Sequence, residues 1–250
     1  MNRYKNVLVN PSTPFAIGEA FKEIRTNMLY TARDVKCPVY AVTSAYAHAG
    51  KSVLIANLAA SFAELGKRVL LIDADLRNPA QHKIFALDRS LGVSEIAAGI
   101  AEDSAAAILH TQVERLDVIP AGHIPPNPTE LLSAAAFASL ITSMQEQYDA
   151  IFVDFPPVGV VVDALIPASL ITGYAVVVRS GLDDRRAVGE VLSSLSGVGA
   201  RVLGFILNDV DPKLGGYGRG ERSKYKYRYR YNYSYTHPTA SATGDDGQEQ

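Results

Sequence analysis

Short unbroken apolar runs alternate along most of this chain with longer segments in which apolar residues recur every three or four positions. Residues 38–43, 69–72, 116–120, 150–154, 174–178 and 202–207 are rich in Val, Ile and Leu with little polar alternation, which predicts strands of a parallel sheet covered on both faces. Between them the period is helical. Ile17, Ala20, Phe21, Ile24 and Met28 mark one face of a helix over 17–30, and Val53, Leu54, Ile55, Leu58 and Ala59 mark one over 51–65, closed by Gly66-Lys67. Leu131, Leu132, Phe137, Leu140, Ile141 and Met144 predict another, entered through the rigid turn Pro125-Pro126-Asn127-Pro128 with Asn127 or Thr129 near its cap. A further helix is expected over 183–196. Residues 80–115 say less; an alanine-rich stretch from Asp103 reads as helical. Strand–helix–strand order implies right-handed crossovers, and so a doubly wound, mostly parallel α/β domain. The expected divisions are an arm and helix over 1–30, the α/β domain over 31–210, and a flexible segment over 211–250.

The first strand runs into Ser44-Ala45-Tyr46-Ala47-His48-Ala49-Gly50-Lys51-Ser52. The spacing A-x4-G-K-S is that of a Walker A phosphate loop, with Ala45 in place of the first glycine. Loop and first-turn N–H groups point at phosphate and the helix dipole favours negative charge there. Gly50 lets backbone approach without a Cβ, Lys51 reaches the outer phosphates, and the Ser52 hydroxyl is a Mg²⁺ ligand. The second strand ends in Asp73-Ala74-Asp75-Leu76-Arg77, and the strand 150–154 ends in Asp154 before Pro156-Pro157, the form of a Walker B acid. Acids at the carboxyl ends of buried strands sit where open α/β sheets bind ligands. A lone D-x-D also serves turns and caps; the phosphate loop tips the balance towards a nucleotide site of the P-loop NTPase type.

Composition adds limits. An apolar fraction of 48% and a charged fraction of 20% are those of an ordinary globular protein. The single cysteine, Cys37, excludes an internal disulfide framework and fits a reducing cytosol. The opening MNRYKNVLVNPSTPF is not a signal peptide, and no apolar run approaches the ~20 residues of a membrane span. The expectation is a cytoplasmic protein that reaches a membrane only through something else.

The net charge of −2 hides a basic segment near the end. Tyr217, Tyr225, Tyr227, Tyr229, Tyr231, Tyr233 and Tyr235 are seven of the thirteen tyrosines, interleaved with six Lys or Arg and one Glu between 217 and 235. Without aliphatic residues from 215 to 235 this segment cannot build a core. Basic residues alternating with aromatics suit single-stranded nucleic acid or an anionic membrane, and the tyrosines suit phosphorylation. The nucleotide motifs in the same chain favour the third, and no nucleic-acid partner is expected. Each phosphate adds roughly −1.5 to −2, so about three would cancel the local charge. Some 25 residues of coil span roughly 25–30 Å, enough to reach a neighbouring subunit and favouring transfer in trans.

From Pro14 to Tyr235 these features resemble the bacterial tyrosine kinases of capsule and exopolysaccharide systems, in the form without a membrane segment. The carriers are SAYAHAGKS, VLLIDADLRNP, AIFVDFPPV and the tyrosine cluster, with IPPNPTELL and VLGFILNDVD also similar. The resemblance implies ATP and Mg²⁺ as cofactors. It implies nucleotide contacts at Ala45, His48, Ala49, Gly50, Lys51, Ser52, Val53 and Asn208, and metal contacts at Ser52, Asp75 and Asp154. Lys51 would act in catalysis beside Asp73, the base for the tyrosine hydroxyl. It further implies a homo-oligomer, of the ring kind the family forms, assembled through Glu19, Lys22 and Arg25, an E-x-x-K-x-x-R variant of the family's E-x-x-R-x-x-R helix. A transmembrane activator of the polysaccharide co-polymerase kind would recruit the protein to the inner face of the plasma membrane, with a tyrosine phosphatase opposing it. Ala47-His48 stands where the family commonly has Pro-Gly, so a non-glycine residue is expected at positive φ; Phe155 stands where a Thr is usual. Outside this family the alternatives are a Min- or Par-type positioning ATPase and a nucleotide-binding scaffold of little activity. The former usually carries an extra lysine early in the loop, absent from Ser44-Ala45-Tyr46.

Overall fold

In the computed structural model, which describes residues 7–101 and 103–210, seven strands form one sheet in the order β3-β4-β2-β5-β1-β6-β7. The strands are β1 (Val39–Ser44), β2 (Val69–Asp73), β3 (Leu109–His110), β4 (Leu116–Ile119), β5 (Ala150–Asp154), β6 (Gly173–Arg179) and β7 (Val202–Asn208). All neighbouring pairs are parallel except β3–β4 at one edge. The longer helices are α1 (Phe15–Thr31), α2 (Lys51–Ala63), α6 (Ala135–Gln145) and α7 (Arg185–Gly197), with short turns α3 (Gln81–Ile84), α4 (Val93–Ala97) and α5 (Pro128–Ser133).

Successive strand residues point to opposite faces, and the two faces carry separate cores. Val39, Ala41, Leu70, Ile72, Ile151 and Val153 pack beneath α4, α6 and α7. Tyr40, Val42, Val69, Leu71 and Phe152 pack beneath α1 and α2, where the rings of Tyr40, Phe62 and Phe152 lie with centroids 5.0–5.6 Å apart. Burial on both sides is why these strands lack alternation. β1 is central, between β5 and β6. Its carboxyl end therefore opens beside those of β2 and β5, at the crevice where chains wound to the two sides part.

Two expectations need correction. The alanine-rich stretch from Asp103 makes only one 3-10 turn, Ser104–Ala107, capped by Asp103 Oδ1 accepting from Ala105 N–H, before the chain extends into β3. Pairing of Leu109 and His110 with Val118 and Asp117 outweighs alanine's helix preference. The helix expected after Asn127 is two: α5 ends at Ala134, whose extended backbone (φ −67°, ψ 144°) starts α6. Asn127 is the N-cap residue with Pro128 at the first helical position, yet its side chain makes no capping bond. Phe155 is fully buried and stacked on Tyr174 (6.4 Å between centroids), so the residue after the Walker B acid belongs to the core.

Candidate active site

The phosphate loop is held from three sides. Thr43 Oγ1 donates to Pro156 O and accepts from Val158 N–H, both at 3.0 Å, tying β1 to the turn after β5. Gly159 lies so near that a Cβ there would stand 2.3 Å from Ala45 O. On the far side Asn208 Nδ2 donates to Ala49 O at 2.9 Å, and Arg179, its register partner on β6, donates to His48 O at 3.4 Å. Gly50 caps α2 in the left-handed region at φ 90°, and a Cβ on it would meet Asn208 Nδ2 at 2.2 Å. His48 is at φ 63°, the positive φ expected of this position. The loop is thus fixed before any phosphate arrives, with α2's first N–H groups free of helical partners.

Lys51, the first residue of α2, is buried. Burial lowers the pKa of its ammonium, and the nearby charges of Asp154 and Asp75 oppose that shift. Asp73 and Asp154 are fully buried register partners on β2 and β5. Asp73 Oδ2 accepts from the N–H groups of Ala80 (3.0 Å) and Gln81 (2.9 Å), and Asp154 Oδ2 accepts from Gln81 Nε2 (2.8 Å). The second oxygen of each, Oδ1, is buried without a partner. Burial, then the Asp154 charge, pushes Asp73 well above the carboxylate range. Burial raises Asp154 to about 6, against the pull of Lys51, the Ser52 hydroxyl and Gln81. Asp75 Oδ1 accepts from Asn78 N–H at 2.9 Å, and burial raises its pKa too. Buried oxygens that lack partners are costly; here they belong to acids closing β2 and β5, and the charge of Asp154 acts on Lys51 of the phosphate loop. That donor set fits a hard cation bridging protein and phosphate. Among the described residues no three His, Cys, Asp or Glu side chains form a metal cage; Mg²⁺ takes one or two carboxylates plus phosphate and keeps most of its waters.

The sequence reading missed several supports. Gln81, on the short α3, has no motif around it to flag it. Arg77, within the D-x-D-L-R motif, makes a two-pronged contact with the fully buried Asp163 (Nε–Oδ2 2.7 Å, Nη2–Oδ1 3.0 Å), and Thr129 Oγ1 donates to Asp163 Oδ1. This links the loop after β2, the start of α5 and the segment after β5. Beside Val53 and Asn208, a cleft of about 700 Å³ is walled by residues 7–10 and 12–14, Phe21 and Asn57. Asn57 pins that arm, accepting from Val9 N–H and donating to Val7 O.

The oligomerisation candidates separate. Glu19 and Lys22 form an exposed ion pair along α1 (2.8 Å), while Arg25 turns inward to Ser61 O and lies 3.7 Å from Glu64. The seven candidate acceptor tyrosines lie outside the described residues, and no helix among those described is long and apolar enough to cross a membrane.

A phosphate loop opening a helix, acids closing β2 and β5 of the same sheet, and parallel strands at its centre define a nucleotide-binding domain of the P-loop class. Residues 40–217 match the CobQ/CobB/MinD/ParA nucleotide-binding domain. The chain is 38% identical over 201 residues to the tyrosine-protein kinase CpsD of Streptococcus agalactiae, covering 80% of this chain and 86% of that one. The kinase domain of the Escherichia coli tyrosine kinase ETK superposes with a TM-score of 0.74 at 32% identity, over 77% of this chain and 75% of that one. MinD of Pyrococcus horikoshii, in complex with Mg-ADP, shares the fold at 23% identity and a TM-score of 0.62, over 76% of this chain and 77% of that one. The chain belongs to the bacterial tyrosine-protein kinase family.

Proposed function

We propose that this protein is an ATP- and Mg²⁺-dependent tyrosine autokinase whose main acceptors are Tyr217, Tyr225, Tyr227, Tyr229, Tyr231, Tyr233 and Tyr235 of a neighbouring copy. The observation that carries the reading is the pair of buried, register-partner carboxylates, Asp73 and Asp154, each with one unpartnered oxygen, and the Lys51 ammonium near enough for the charge of Asp154 to act on it. Loop amides from Ala45 to Val53 and the Lys51 ammonium hold the phosphates, and the base and ribose fit the cleft beside Asn208. Ser52, Asp75 and Asp154 would hold Mg²⁺, directly or through water. The ion supplies charge neutralisation on the β- and γ-phosphate oxygens.

Asp73 Oδ2 is occupied by two backbone N–H groups, which leaves Oδ1 to receive the phenol proton. The tyrosine oxygen bonds to the γ-phosphorus as the bond from that phosphorus to the β–γ bridging oxygen breaks. ADP leaves with that electron pair. Positioning and charge are what such transfer chiefly requires.

Family membership supports a role in capsule or exopolysaccharide synthesis or export, and a homo-oligomer that includes Glu19, Lys22 and Arg25 in its contacts. It also supports recruitment to the inner face of the plasma membrane by a transmembrane activator, and reversal by a tyrosine phosphatase. Purified protein with labelled ATP and Mg²⁺ should acquire phosphotyrosine. Equal labelling of Lys51→Met and Asp73→Ala would refute the assignment.

A further inference from the structure

We infer that Gln81 is a positioning residue of this site: through one buried amide and one backbone N–H it holds the two strand-end acids in register with the start of the phosphate-loop helix. Three contacts carry this. Gln81 Nε2 donates to Asp154 Oδ2 at 2.8 Å and to Ser52 O at 3.1 Å, which spans β5 and the first turn of α2. Gln81 N–H donates to Asp73 Oδ2 at 2.9 Å, which adds β2. The side chain is fully buried, and its Oε1 has no partner.

The arrangement has a directional consequence. Each carboxylate has one oxygen engaged and one free. Gln81 selects which oxygen is engaged on Asp154 and shares that choice on Asp73 with Ala80. Without the amide, Asp154 keeps only the pull of the Ser52 hydroxyl and of Lys51 to set the rotation of its carboxylate. Ordered second contacts of this kind typically change metal affinity or activity by 10- to 100-fold when removed. The Gln81 amide is spent on Asp154 and Ser52, and it acts through them. A glutamine serves where a glutamate would not, because two donors are needed against two oxygen acceptors beside three acids. Oε1, left over, is an acceptor suited to a water of a hydrated cation.

The proposal rests on the nucleotide–Mg²⁺ reading of the site, and its test separates the two. Gln81→Met keeps length and volume but removes both side-chain donors; Gln81→Glu keeps shape and replaces the donor with an acceptor. The full chain is assayed for binding of a fluorescent ADP analogue, once with Mg²⁺ and once with EDTA, together with thermal stability and phosphotyrosine formation. The expected result for Gln81→Met is a folded protein whose Kd in EDTA stays within about twofold of wild type. Its Mg²⁺-dependent tightening should fall by roughly tenfold, with kcat lowered more than the KM for ATP is raised. Gln81→Glu should be worse. Equal weakening with and without Mg²⁺, or unchanged tightening and kcat, would overturn the positioning role. If wild-type protein forms no phosphotyrosine while Gln81→Met still loses its Mg²⁺-dependent tightening, the kinase reading fails and the role of Gln81 stands.

Discussion

Asp73 and Asp154 face each other across adjacent parallel strands, both fully buried, each with one oxygen bonded and one left without a partner. Two such groups destabilise a folded protein, and a site that later receives a cation is where that cost is tolerated.

The first prediction follows from that cost. Folding raises the pKa of Asp154 from an ordinary 3.8 to about 6, so between these values the folded state keeps a proton that the unfolded chain has lost. Stability from this group therefore declines as pH rises from about 4 to about 6, and stays reduced above. In EDTA and without nucleotide, Asp154→Asn should be more stable than wild type at pH 7.5, by roughly 1–3 kcal/mol. The advantage should shrink towards pH 4. Thermal melts of both proteins across that range check it; a variant less stable at every pH would contradict it.

Gly50 and His48 should respond in opposite senses. Alanine at Gly50 meets both the left-handed backbone and Asn208 Nδ2, so Gly50→Ala should displace Asn208 and weaken nucleotide binding at least about tenfold, the equivalent of ~1.4 kcal/mol. His48→Gly removes the strain of a side chain at φ 63°, which is worth roughly 1–2 kcal/mol less the entropy glycine adds to the unfolded chain. Its melting temperature should hold or rise by a few degrees with nucleotide binding intact. Titration with a fluorescent nucleotide and thermal melts decide both.

Arg77→Ala should leave the fully buried Asp163 with only Thr129 as a side-chain partner. The Arg77 side chain is 42% exposed, so the loss should fall below the 3–5 kcal/mol typical of broken buried pairs, at roughly 1–3 kcal/mol. Arg77→Lys should rescue only part, because lysine lacks the two-pronged fork. Urea unfolding with an unchanged m-value is the readout.

The parallel strands were legible because burial on both faces leaves an unbroken apolar run, and Gly50-Lys51-Ser52 was legible because phosphate admits few residue types at that spacing. Asn208 drew attention only through family likeness; its bond to Ala49 O gives the reason for it. Gln81 and Arg179 were not legible, since what they do depends on strands brought together from distant parts of the chain. β3 was hidden for a related reason: a two-residue edge strand has no period, and its alanine-rich approach reads as helix until β4 pairs with it. The E-x-x-K-x-x-R spacing of Glu19, Lys22 and Arg25 was visible, but the inward turn of Arg25 towards Ser61 was not, because it depends on where α2 lies.

Intact mass before and after incubation with ATP and Mg²⁺ tests the central claim most directly, since it counts phosphates on the whole chain. Wild-type protein should gain successive phosphoryl groups, up to seven of them on the tyrosines between 217 and 235, while Lys51→Met and Asp73→Ala gain none. An unchanged wild-type mass in the presence of its activating partner, or equal gains in all three proteins, would contradict the account.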